Sequence, residues 1–267
     1  MKKTLAIVVA CFTLAAQAQT KEGKVVYERT MQMSNMPFGG NLPPEVQAQM
    51  PKSRTDQYEL LFTSQYSLYQ FLPNAADESG GGGTFSGGGV VIQMRGGQND
   101  ATYIDYSKDT RIDQREIMEK SFVVTDTVTK LKWKLSEETK TILKFTAKKA
   151  TSTTVTQRPR MTMENGEMKR EMMNDTVNVV AWYTTDVPVP TGPNYTGQLP
   201  GLILELDMNN GQSITKAIEF SPKVSANKIK EPNDGKKLTA AEFAKERAKI
   251  MEEMRKNMGS GERIRMQ

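Results

Sequence analysis

Methionine is the residue type that stands out for its chemistry, with 17 in a chain of 267. The thioethers cluster. Met31, Met33 and Met36 form one group. Met161, Met163, Met168, Met172 and Met173 form a second, and Met251, Met254 and Met258 a third. Soft sulfur donors select Cu(I) over harder cations, and M-x-M or M-x-x-M spacing puts two or three sulfurs within reach of one ion. The second group is therefore the candidate copper site. The competing reading is packing, because Met fills irregular gaps in cores. Arg160, Lys169 and Arg170 would also repel a cation there. The third group follows helical spacing, which suits a packing stripe.

Other chemistry is excluded by composition. The chain has no histidine and one cysteine. Histidine-based triads, histidine metal sites and an intramolecular disulfide framework are all ruled out. Carboxylate pairs such as Glu137-Glu138 and Glu252-Glu253 are adjacent charges on polar segments, with nothing to raise a pKa for acid catalysis. No cofactor motif is present. The glycines at 80–83 and 87–89 lack the Gly-Lys-Ser/Thr that opens the helix of a phosphate loop. That stretch reads as a flexible loop over 80–89. The net charge is +5 and the runs of basic residues are short, so nucleic acid is not an expected partner.

The N-terminus reads as an address. Lys2-Lys3 is a basic start, Thr4 to Ala15 an apolar core, and Ala16-Gln17-Ala18 a small-x-small cleavage site. Residues 1–18 are thus expected to be a secretory signal peptide, too short to span a bilayer. Cleavage would leave a chain starting at Gln19, without Cys11 and with no transmembrane segment. Val8-Val9-Ala10-Cys11 loosely resembles a lipoprotein box, which would instead lipidate Cys11. Either way the expected location is exported, in the periplasm or associated with the outer membrane.

The elements behind these residues read as strands. Lys24 to Thr30 is a first strand, followed by a Pro- and Met-rich loop over 31–54 with at most a short helix from Pro44 to Met50. Tyr58 to Phe71 reads as strand, turn at Thr63-Ser64-Gln65, strand. Val90–Met94, Ala101–Tyr106, Thr110–Glu116 and Ser121–Val124 are short strands at close spacing. Thr141 to Thr156 is a long strand or hairpin, and Val177 to Thr184 another strong strand. Residues 158–175 read as a Met-rich insertion between them, with Asn165-Gly166 as a turn. Asn210-Gly211 predicts a type I′ hairpin between Leu202–Asp207 and Ser213–Phe220. Thr239-x-x-Glu242 is a capping box opening a helix to Met258, with Phe243, Ile250, Met251, Met254 and Met258 on one face. The expected fold is mainly β: an antiparallel curved sheet or partial barrel over residues 19–232, then one C-terminal helix and a tail over 233–267.

One segment carries a resemblance. Residues 178–206 read NVVAWYTTDVPVPTGPNYTGQLPGLILEL. With Trp133-Lys134-Leu135, Glu138, Lys140, Ile142 and Lys149-Ala150, this stretch resembles the GLPGLI family of exported Bacteroidota envelope proteins. The matching signature residues are Trp182, Tyr183, Gly192, Pro193, Tyr195, Leu199, Pro200, Gly201, Leu202 and Ile203. Gln198 stands where the signature has its first Gly, and the position near Ala147, often Cys in that family, has no thiol. The resemblance implies an envelope location and a mainly β fold, and no reaction. The residues themselves make the segment a shaped, stiff connection, since Pro188, Pro190, Pro193 and Pro200 fix φ and remove N–H donors. It is either a structural corner that threads Leu202-Ile203-Leu204 into the core or a rigid loop presenting Tyr195 to a ligand.

Together these observations point to a non-enzymatic exported envelope protein that binds an apolar or peptide-like ligand, or another envelope protein, on a curved sheet. A Met-rich periplasmic copper-binding protein and a structural accessory of an outer-membrane machine are the alternatives.

Overall fold

The computed structural model describes residues 20–33, 48, 51–73, 84–87, 90–93, 99–164 and 167–259, and side chains within them apart from 84–87, 90–93, 158–164, 167–171 and 254–259. The expected signal peptide, Cys11, Met36 and most of the expected helix at 44–50 lie outside these residues.

The sheet strands in chain order are β1 (Gly23–Gln32), β2 (Ser53–Phe62), β3 (Tyr66–Phe71), β4 (Thr84–Gly87), β5 (Val90–Gln93), β6 (Ala101–Asp105), β7 (Thr110–Ile117) and β8 (Lys120–Thr127). They continue with β9 (Lys134–Ile142), β10 (Phe145–Glu164), β11 (Glu167–Thr184), β12 (Leu202–Met208), β13 (Ser213–Ser221) and β14 (Lys236–Thr239), followed by helix α1 (Ala240–Gly259). Twelve of them form one sheet in the order β14-β8-β7-β6-β3-β2-β1-β13-β12-β11-β10-β9. Neighbours are antiparallel except β14 on β8, which is parallel. The sheet is not closed into a barrel.

A local break divides the sheet. β12 pairs with β13 over Glu205–Met208 against Ser213–Lys216. Residues 202–204 of β12 precede that pairing, while β13 from Ala217 onward pairs with β1. The sheet therefore divides beyond the hairpin into a half from β14 to β13 and a half from β12 to β9. The main core joins the halves: Val25, Tyr27, Leu60 and Phe62 from one meet Ile142, Phe145, Ala147, Leu202 and Leu204 from the other. A second cluster of Ala150, Val179, Ala181, Tyr183, Leu199, Ile203 and Leu206 covers the opposite face of β10–β12.

The structure corrects several expectations. β1 and β2 extend into the expected 31–54 loop, pairing Met31 with Arg54 and Gln32 with Ser53. Met33 is buried there, as a gap-filler. The Gly-rich stretch contains β4, which pairs with β5 across a two-residue connection. Short polar-glycine runs still form strands where a partner strand supplies the hydrogen bonds. The Met-rich stretch 158–175 is strand in both arms. β10 and β11 run through it as one long hairpin, pairing Glu164 with Glu167 across the expected Asn165-Gly166 turn, whose two residues lie outside the description. Of the two readings of 141–156, a long strand or a hairpin, the structure has the hairpin β9–β10, turning at Leu143 and Lys144, where Leu143 has φ 54. β9 carries mostly polar exposed side chains because it is the sheet edge, where charges discourage further pairing.

At the Asn-Gly site the hairpin is present, but its connection is four residues long, with positive φ at Asn209, Asn210 and Gly211. The Asp207 carboxylate accepts the Gly211 N–H at 2.6 Å and holds this longer turn. The capping box forms as expected. The Thr239 N–H donates to Glu242 Oε2 at 2.8 Å, and the Glu242 N–H donates to Thr239 Oγ1 at 3.3 Å. Helix α1 packs Phe243 and Ile250 on Phe122 and Val124 of β8. Met251 departs from the expected stripe and is exposed, because Ile250, one position earlier, takes the sheet-facing direction.

The cap gives a direct test. Replacing Thr239 by Ala is expected to cost roughly 0.5–2 kcal/mol, read from denaturant midpoints. Hydrogen bonds from Thr239 hold the Glu242 carboxyl below the usual range. A depressed carboxyl contributes stability above its unfolded pKa and loses it as pH falls through the folded one. The deficit of the variant should therefore be full at neutral pH and shrink only in acid. A pH-independent deficit, or none, contradicts the cap.

Candidate functional site

The signature segment is built around the first residues of β12. Leaving β13, the strand exposes backbone groups that must find other partners when buried. The segment between β11 and β12 supplies them. The Leu202 N–H donates to the Val187 carbonyl at 3.1 Å and the Ile203 N–H to the Thr191 carbonyl at 2.8 Å. The Ile203 carbonyl accepts the buried Tyr27 hydroxyl at 2.6 Å. Val187 and Val189 enter the core between the halves, while Tyr195 and Leu199 join the cluster on the other face. The segment thus touches both faces of β12.

Its tight path explains two glycines. A Cβ on Gly192 would overlap Ile203 Cβ, and one on Gly201 would overlap the Thr184 carbonyl. Both have φ above +150°, which L side chains rarely adopt. The departure at Gln198 has a role. Its Oε1 accepts the Leu131 N–H at 2.9 Å and the Trp133 indole N–H at 3.0 Å. Its Nε2 donates to the Thr129 carbonyl at 2.9 Å. Gln198 therefore ties the segment to the chain between β8 and β9, where Trp133 also meets Tyr195 edge-on.

The ten signature residues are brought together here. Tyr183, Gly192, Pro193, Leu199, Gly201, Leu202 and Ile203 are buried, Trp182 and Tyr195 half-buried, and Pro200 exposed. Lys140 Nζ sits 4.3 Å from the Trp182 ring centroid and pairs with Glu205. Of the five candidate copper ligands, Met161, Met163 and Met168 have side chains outside the description. The register places Met163 opposite Met168, Met161 opposite Arg170, Met172 opposite Pro159 and Met173 opposite Arg158. Met172 and Met173 are exposed neighbours on one strand, and so occupy opposite faces.

A second constellation was missed from sequence. Tyr27, Tyr69 and Tyr58 form a row of rings: Tyr27 meets Tyr69 edge-on at 6.1 Å, and Tyr69 stacks on Tyr58 at 5.2 Å. The Arg29 guanidinium lies 4.4 Å from the Tyr58 centroid. Arg29 and Arg54 both pair with the buried Asp56 carboxylate, at 3.2 and 2.8 Å. Further along the same face, Arg111 and Arg115 both pair with Asp113 at 2.8 Å, and Thr102 donates to that carboxylate at 2.6 Å. Register connects the two groups, since Thr102 lies opposite Tyr69. Burial pushes the Asp100 carboxyl up, partly offset by Arg115. Burial also pushes the Tyr27 and Tyr69 hydroxyls well above their ordinary range, so both are neutral donors at physiological pH. The readable signal was the strand spacing Arg54-x-Asp56-x-Tyr58 and Arg111-x-Asp113-x-Arg115, which places each set on one face.

Comparison with known proteins gives a match to a family model over part of the chain. A family model described as a protein of unknown function (Porph_ging) matches residues 133–205, the stretch from Trp133 through β9, β10 and β11 to Glu205 of β12. No curated protein matches. The structure of PNGF-II in one crystal form is 15% identical with a TM-score of 0.47, covering 84% of this chain and 32% of that one. The chain thus spans about a third of PNGF-II. LprF from Mycobacterium bovis is 8% identical with a TM-score of 0.26, covering 82% of this chain and 92% of LprF.

The close packing at the corner predicts a contrast between glycines. Gly201→Ala should cost about 3 kcal/mol or more, combining an unfavourable backbone with overlap. Gly211→Ala, at φ 86 with open space around it, should cost about 1–2 kcal/mol. Equal shifts in denaturant midpoint would contradict the packing described.

Proposed function

We propose that the chain is a non-enzymatic exported envelope protein of the GLPGLI type, resident in the periplasm or at the outer membrane, that binds an apolar or peptide-like ligand or another envelope protein. The observation that carries this reading is the face of the sheet between the β12 corner and helix α1. There a row of rings, with Tyr27 and Tyr58 buried in the core and Tyr69 half-buried, is bordered by half-buried arginines. Pockets for ligands combine apolar and aromatic lining with a few placed polar groups. The absence of histidine from the whole chain removes the commonest general base and supports contact rather than bond-making. The basic, apolar and small-residue pattern of residues 1–18 supports export.

The test is recovery of the protein from the envelope fraction under native conditions. The expected mature chain begins at Gln19, carries about one equivalent of apolar material by native mass spectrometry, and releases it to an apolar fluorescent dye. A full-length product in the cell interior that neither carries nor binds an apolar species would overturn the proposal.

A further inference from the structure

Resting on that reading, we infer that Arg29 and Arg54 form a binding site for the carboxylate of an apolar chain. Asp56 neutralises one of the two guanidinium groups, leaving an excess positive charge in a setting where the side chains are 29%, 19% and 6% exposed for Arg29, Arg54 and Asp56. The second group is balanced differently. There a second carboxylate, Asp100, lies 3.9 Å from Arg115 beside the shared Asp113. Among the described residues no second carboxylate pairs with Arg29 or Arg54.

The hydrogen-bond inventory agrees. Among the described residues Arg29 Nε is buried without an acceptor. Arg54 Nη2 lies 2.8 Å from Asp56 Oδ1, an oxygen it shares with Arg54 Nε, so its charge is met by that carboxylate. Buried donors in native proteins are nearly always satisfied, and the unsatisfied Arg29 Nε beside a carboxylate shared by two guanidiniums marks a missing acceptor. An oxygen anion seated against both guanidiniums supplies it through charge-assisted bonds. The site is also held in place. Arg29 lies over Tyr58, Tyr58 stacks on Tyr69, and Phe71 closes edge-on at 5.7 Å. A group so restrained loses little freedom on binding. Tyr27, Tyr58 and Phe71 are buried behind the arginines, and the half-buried Tyr69 is the ring that borders the site.

Two sources share this chemistry, a fatty acid and the C-terminus of a short peptide. Calorimetric titration of the mature protein with dodecanoate and with Ala-Ala-Phe, each against its amide, separates them. At least one acid should bind roughly tenfold or more tighter than its amide, the worth of one charge-assisted bond. Arg54→Gln should erase that preference and Arg54→Lys should keep part of it. The acid that shows the preference identifies the source. Equal binding of acids and amides to the unaltered protein would overturn the carboxylate site while leaving apolar binding intact. No binding of either acid would also overturn it, and no variant is needed for that result.

Discussion

The structure depends on what happens to β12 where it parts from β13. At Ile203 the N–H donates to the Thr191 carbonyl and the carbonyl accepts the Tyr27 hydroxyl. A strand end buried without partners would leave groups each costing roughly 1–3 kcal/mol. These bonds remove that cost and also connect the halves, since Tyr27 belongs to β1 on one side and Ile203 to β12 on the other. Leu202, Ile203 and Leu204 then bury completely, worth roughly 1.5–3 kcal/mol each. The corner segment is structural in this sense: its prolines and glycines let it supply acceptors on a path too tight for most side chains.

The same tie places the candidate site. Tyr27 is locked at its hydroxyl, and its ring meets Tyr69, which stacks on Tyr58 beneath Arg29. The rigidity of the corner is thereby passed along the rings to the two guanidiniums that share Asp56. At the far end of the same half, helix α1 covers β8 through Phe243 and Ile250. The arginine-bordered strip lies between these two anchors.

Features set by neighbours in sequence were legible. The capping box needs residues three apart, and the Asn-Gly turn needs residues that accept positive φ. Even there Asp207 lengthened the turn, through a contact that spacing alone did not announce. The long hairpin was less legible because Arg158, Pro159 and the methionines do not resemble a strand, and pairing between β10 and β11 overrode their propensity. β9 was hidden because an edge strand keeps polar side chains. The Arg29–Asp56 pair joins residues far apart in sequence through the β1–β2 register, and no local pattern foretells it. Gln198 departs from the signature, and its three hydrogen bonds reach Thr129, Leu131 and Trp133, more than sixty positions away, which spacing cannot announce.

Residue-resolved amide hydrogen exchange tests the tie at β12 most directly. The account predicts that the N–H groups of Ile203 and of Gly197, which donates to the Pro190 carbonyl at 2.6 Å, exchange as slowly as those of Val25 and Leu60 in the core strands. Exchange at Ile203 and Gly197 as fast as in the exposed stretch around Lys230 would contradict it.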